Sequence, residues 1–236
     1  MRGPLATRGL IAAAAIAGAL AIGFAFWRYC WFFRDPPRVA PAAEGLLSPA
    51  DGTVVYVKRV EPGEDVVVVK QGVRATVRDI AHEDDGGPKL VVGVFMSPFD
   101  VHYNRAPLAG RIGFVRRYPA RGENLSMAGM HWRTLLGIEP LYEGSLHIVQ
   151  NERAVTQIRG EYRGAPMSVY VVQIGARTVH GIDSFVAPGS TVARGATFGM
   201  IRVGSQVDLI VPWRDGLVAR VHPGERVRAG ETIVVR

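Results

Sequence analysis

The sequence predicts a mainly β protein: a barrel-sandwich-like β domain with short helices, preceded by one apolar helix. Three observations predict it. From Leu46 onward the apolar residues come in short β-branched runs broken by Gly, Pro and Asp. No long 3.6-residue periodicity follows the amino-terminal segment. No charged residue stands between Arg8 and Arg28. A length of 236 residues fits one domain plus a small addition, and 48% hydrophobic against 21% charged residues argues against wholesale disorder.

The uncharged segment comes first. As a helix, residues 9–27 span roughly 28 Å, close to the ~30 Å of a bilayer core. Trp27, Tyr29, Trp31, Phe32 and Phe33 alternate with Arg28 and Arg34 at its end, a composition suited to the lipid–water interface. Pro36 and Pro37 stop any helix. Residues 1–38 therefore read as a membrane anchor with a basic, aromatic flank. A cleaved signal peptide fits less well, since that flank is unlike a small-residue cleavage site. A buried soluble helix fits least, since no polar face exists.

Charge location narrows the partners. Formal charge is +7, which invites a nucleic-acid reading. Five arginines (Arg2, Arg8, Arg28, Arg34 and Arg38) against Asp35 place +4 of it around the anchor, where anionic headgroups attract it. No basic stripe interleaved with aromatics follows, so no nucleic-acid partner is expected. Cys30 is the single cysteine; a disulfide framework and a multi-cysteine zinc site are excluded.

Residues 39–236 form the expected β-rich domain. Strands are predicted over Thr53–Val57, Val66–Val69, Leu90–Phe95, Val169–Ile174, Val207–Val211, Leu217–Val221 and Thr232–Val235. Ala120–Gly144 reads as a long loop carrying Met127, Met130, Trp132, Leu135, Leu136 and Ile138. It either covers a site, dips into lipid or adds ordinary core. A weak repeat relates Val186–Gly195 to Val221–Gly230: Pro-Gly makes a turn and a second Gly follows six residues later. Such hairpins resemble the barrel-sandwich fold of biotinyl and lipoyl carriers. Their modified lysine is absent, because Lys58, Lys70 and Lys89 all lie outside these turns.

Three segments could carry chemistry. Ser48-Pro-Ala-Asp51-Gly52 precedes a strand and by itself reads as a turn. In Met96–Pro107, Ser97 suits a helix N-cap, Pro98 the first helical position and Asp100 the capping-box position. A helical turn there would present His102 as an acid or base near neutral pH; a structural histidine is the plainer reading. Gly204-Ser205 sits inside the apolar run Met200–Val211. Glycine inside a strand marks a bulge or close backbone approach, and the hydroxyl is placed to attack the carbonyl of its own predecessor.

These pieces are similar to one known family. Phe32–Arg38, Ser48–Gly52, Ser97–Pro107, Asn151–Arg153, Val171–Ile174 and Phe198–Asp208 resemble, in order, the phosphatidylserine decarboxylase proenzymes of the short bacterial branch. The resemblance implies a precursor that cuts itself at Gly204–Ser205 into a β chain, 1–204, and an α chain, 205–236, which stay associated. Ser205 would become a covalent pyruvoyl cofactor that forms a Schiff base with the serine amine of the lipid. Decarboxylation would yield phosphatidylethanolamine and CO2. It implies His102 and Asp51 as the supporting catalytic pair, with Asn104 and Arg105 as candidates for binding the substrate's phosphate or carboxylate. Longer members show His-x-x-His where this chain has His102-Tyr-Asn-Arg105, so His102 either serves both self-cleavage and turnover or shares them with another residue. The family's substrate implies a cell-membrane location with the catalytic domain on the cytoplasmic face. Self-association into a homo-oligomer stays open.

His82, His131, His147, His180 and His222 lack such a motif and are expected to be structural. No metal site is expected, because a zinc endopeptidase would need clustered ligands such as His-x-His. The other competing class is a membrane-anchored barrel-sandwich adaptor without catalysis, which would need long helical hairpins.

Overall fold

The computed structural model describes residues 4–68, 72–177, 181–202 and 204–236. The chain divides into two compact units, Met1–Pro36 and Pro37–Arg236. In the first, helix α1 (Pro4–Phe26) runs on into a π-helical turn, Trp27–Trp31, and the helical path ends before Pro36. By length and composition, Arg8–Trp31 is long and apolar enough to cross a membrane. Arg34 lies over the Trp31 ring at 4.3 Å, and Arg28 over Tyr29 and Phe33 at 5.6 Å. These cation–π contacts hold the charges beside an aromatic belt.

The second unit is mainly β. Its elements in chain order are β1 (Leu46–Leu47), β2 (Gly52–Val60), β3 (Asp65–Val68), β4 (Arg74–Thr76), α2 (Val77–Ala81), β5 (Lys89–Met96), β6 (Tyr103–Arg105) and β7 (Gly110–Tyr118). Then follow α3 (Ala128–Leu136), α4 (His147–Gln150), β8 (Arg153–Tyr162), β9 (Ala165–Gly175), β10 (Ile182–Ser184), β11 (Thr191–Val192), β12 (Thr197–Ile201), β13 (Ser205–Pro212), β14 (Arg226–Val227) and β15 (Ile233–Val235). A curled eight-stranded sheet has the order β11-β7-β8-β9-β13-β5-β2-β14, and a three-stranded sheet the order β10-β12-β6.

The central strands β5 and β13 are buried on both faces, which is why they read as unbroken apolar runs. Val207, Leu209 and Val211 join one core with Val92 and Val94; Ile210 joins a second with Phe95, Met130 and Ile148. The repeat supplies the two edges of the large sheet: β11 pairs with β7 and β14 with β2. Its terminal glycines, Gly195 and Gly230, both with positive φ, meet so closely that a Cβ on Gly230 would lie 3.3 Å from the Gly195 carbonyl oxygen.

Several expectations change in detail. Leu217–Val221 is not a strand, and contributes one bridge, Ala219 to Val235. Val69 lies outside the described residues. β7 and β8 are long strands the apolar runs do not reveal: arginines at 111, 116, 117 and 159 break them, because part of each strand is open to solvent. The Ala120–Gly144 segment is not a bare loop but contains α3. The turn after β5 is not helical; Asp100 N–H bonds Ser97 O at 3.0 Å, while the Asp100 carboxylate takes the Ser97 N–H at 2.8 Å. That reciprocal pair closes a single turn, and the chain continues from it into β6.

Candidate active site

Two connections run side by side between the sheets. One leads from β5 through residues 97–102 into β6; the other leaves β12 at Arg202 and enters β13 from Gly204. The pairing of β12 with β6 and of β13 with β5 holds them together. The apolar run Met200–Val211 is therefore not one strand. It breaks at Gly204, whose φ of +68° lets the chain pass from the small sheet to the large one.

Ser205 opens β13, opposite Met96 of β5 and Gly175 of β9, and is fully buried. Its hydroxyl donates to Met96 Sδ at 3.2 Å. The Gly204 carbonyl accepts the Ala176 N–H at 3.1 Å, so one donor already addresses the carbonyl beside the serine. Asn104 lies on the same side, with Nδ2 3.8 Å from Met96 Sδ and Oδ1 accepting from Gln173 Nε2 at 2.8 Å.

His102 is fully buried at the end of the first connection, and its carbonyl accepts the Ile201 N–H. Its Nδ1 lies 3.0 Å from the Asp100 carbonyl oxygen. A carbonyl oxygen only accepts, so Nδ1 carries the proton in that bond. Asp51 is engaged elsewhere: Oδ2 takes Arg38 Nη2 at 2.8 Å and Oδ1 the Ala229 N–H at 2.7 Å. Burial raises its carboxyl above the usual range, partly offset by Ala229 and Arg38. The Asp100 main chain thus gives His102 one orienting contact, while Asp51 ties Arg38 to the carboxy-terminal segment. Arg105 Nη1 donates to Gly195 O at 3.1 Å.

A cavity of about 300 Å³ opens beside Gly204, walled by Phe95, Met127, His131, Ala176 and Arg177 among others. A second hollow of about 330 Å³ shares Phe95 and His131 and continues past Leu135 to Phe99 and Arg226. Asn104 and Arg105 line neither. His131, expected to be structural, lies on both. Only its position on α3, which no periodicity revealed, gives it that place. His180 lies outside the described residues.

On the opposite sheet face from Ser205, Gln206 is the hub of a buried polar network. Nε2 donates to Tyr56 Oη (2.9 Å) and Asp208 Oδ1 (2.7 Å), and Oε1 meets His147 Nε2 at 3.1 Å. Burial pushes Asp208 up to about 6 and His147 down to about 4. Arg153 donates to carbonyls of Asp79, Ile80, Ile148 and Asn151, and Asn151 reaches Gly175 O at 2.7 Å. The Asn-Glu-Arg piece of the sequence thus braces the strand beside Ser205.

The fold thus sets a buried glycyl–serine junction at the head of a central strand of a curled β-sheet, beside a cavity. A family model described as phosphatidylserine decarboxylase matches residues 26–235, and the chain belongs to that family. A relative in Methanocaldococcus jannaschii, provisionally named archaetidylserine decarboxylase proenzyme, is 36% identical over 86% of this chain and 87% of its own. Phosphatidylserine decarboxylase proenzymes of Nitratidesulfovibrio vulgaris (36% identity; 89% of this chain, 78% of theirs) and Ruegeria pomeroyi (31%; 93% and 83%) are also similar.

Proposed function

We propose that this chain decarboxylates phosphatidylserine to phosphatidylethanolamine after cutting itself between Gly204 and Ser205. The observation that carries the reading is the placement of that link: a buried hydroxyl directly follows a left-handed glycine whose carbonyl is already held by an amide donor. For self-cleavage the Ser205 hydroxyl turns from Met96 toward His102, and Nε2 takes its proton. Oγ attacks the Gly204 carbonyl carbon while the Ala176 N–H stabilises charge on the oxygen. The amide nitrogen takes up a proton and leaves, so an ester replaces the peptide bond. Loss of the Ser205 Cα proton then breaks the Cβ–Oγ bond, and Gly204 departs as a carboxylate. Water adds to the dehydrated residue and ammonia leaves, giving a pyruvoyl group at 205.

A pyruvoyl ketone fits this position, at the head of a central strand and beside the cavity; it supplies an electron sink that no encoded side chain offers. His102 then returns a proton to the carbon that has lost CO2. Asp51 acts at a distance, holding Arg38 and the Ala229 amide so that the segment after the cut keeps its place. Asn104 positions Met96 and Gln173 around Ser205, and Arg105 braces the Gly195 turn. The cut chains stay together because residues 205–236 supply β13, β14 and β15, each paired with a strand from before the cut. Residues 1–38 anchor the enzyme in the membrane that holds its substrate, with residues 39–236 as the catalytic domain on the cytoplasmic face.

A denaturing gel with intact-mass analysis tests the reading. Two chains are expected, 1–204 and 205–236, the second lacking a free amino terminus. Recovery of active protein as one intact chain would refute it. The adaptor alternative has no observation in its favour: the longest described helix of the β unit is the nine-residue α3.

A further inference from the structure

Resting on the decarboxylase reading, we infer that Arg177 recognises the substrate's phosphodiester, in the cavity beside Gly204 that it shares with His131. The guanidinium groups around the two connections are otherwise engaged. Arg38 holds Asp51 and Glu231, Arg105 the Gly195 carbonyl, Arg202 Asp183, and Arg226 Asp100. Arg177 lines the cavity, and its guanidinium makes no hydrogen bond or ion pair to any described residue. It is exposed, so water solvates it until a ligand arrives. His131 lines the same cavity, and its Nδ1 is enclosed without a partner among the described residues.

The substrate brings two anionic groups, and the cavity treats them differently. The carboxylate must lose its charge as CO2 departs. Apolar walls such as Phe95, Met127 and Ala176 withhold solvation from it and favour the charge-dispersed transition state. The phosphodiester keeps its charge throughout and needs a permanent counter-charge, which a guanidinium fork supplies with two parallel donors. The amino-terminal end of α3, where Ala128 and the preceding Ser126 and Met127 line the cavity, adds the positive end of a helix dipole. Arg177 thereby places the serine moiety against position 205.

The test uses full-length processed protein in detergent, with Arg177→Gln and Arg177→Lys. Intact mass is expected to show complete self-cleavage in both; if the Gln variant is incompletely cut, the Lys variant carries the comparison. With monomeric dihexanoyl-phosphatidylserine, KM is expected to rise about tenfold or more in Arg177→Gln, with kcat within about threefold and partial recovery in Arg177→Lys. Calorimetric binding of glycerol 3-phosphate is expected to weaken by a similar factor, while inorganic phosphate, lacking the ester, binds wild type more weakly. Unchanged KM and unchanged glycerol 3-phosphate binding would overturn the inference, as would a loss confined to kcat. If wild type releases no CO2, the decarboxylase reading fails, and the glycerol 3-phosphate comparison still decides whether Arg177 is an anion site.

Discussion

Ser205 and its neighbours illustrate how little of a side chain's role is set by its type. Its hydroxyl rests on a thioether rather than on a base, so the proposed self-cleavage calls for a rotation of the Ser205 side chain. Ser205→Ala is expected to leave a single uncut, inactive chain on the gel. His102→Ala is expected to slow cleavage by about a hundredfold or more, since positioned acid–base groups contribute on that scale; a time course of band conversion measures it. The buried pair on the other sheet face predicts a pH effect. His147 titrates near 4 when folded and near 6.5 when unfolded, so over that interval the unfolded chain holds the extra proton and stability rises with pH. Asp208 titrates near 6 when folded and 3.8 when unfolded, so over its interval the folded chain holds the extra proton and stability falls with pH. The two oppose each other in the wild type. His147→Gln removes the first alone, and its Tm relative to wild type is expected to drop by about 5 °C between pH 4.5 and 6.5. Parallel Tm curves would exclude the histidine from this balance.

At the scale of elements, α3 and β13 divide the labour. β13 carries Ser205, the proposed cleavage point, at its head and alternates its residues between two cores, so its register cannot slip without burying the wrong set. α3 buries Met130 and exposes Trp132, Leu135 and Leu136 at 58–64%. An unpartnered apolar face of this kind beside the cavity suits contact with lipid. Replacing Trp132, Leu135 and Leu136 together by serine is expected to abolish turnover of phosphatidylserine in liposomes while sparing self-cleavage and turnover of a short-chain soluble substrate. Loss of cleavage as well would assign α3 a structural role instead. The sequence disclosed the apolar content of this segment but not its helix, because nine residues give too few turns for a periodicity to stand out.

For the whole molecule, both hydrophobic cores lie between Leu46 and Val235. A chain beginning at Pro37 therefore keeps every residue of those cores. It is expected to fold and cut itself while no longer sedimenting with membranes, and to show higher activity on detergent-dispersed than on vesicular substrate. Failure of the truncated chain to cleave would mean that the amino-terminal segment contributes to the catalytic unit as well as to anchoring.

The sequence by itself determined the β class, the apolar helix and most of the buried strands, and it supplied the family's motifs, because each of these is a local property: an uncharged stretch, a β-branched run, a short run of residues in a fixed order. It could not determine that Asp51 would reach Ala229 rather than His102, or that His131 and Arg177 would border Gly204. Nor did composition reveal β7, open to solvent along much of its length, or β8, whose buried stretch includes the polar Arg153, Thr156 and Gln157. Those facts arise from the crossing of two sheets and the curl that brings both edges together, and contacts between residues so distant along the chain leave no periodic trace in it.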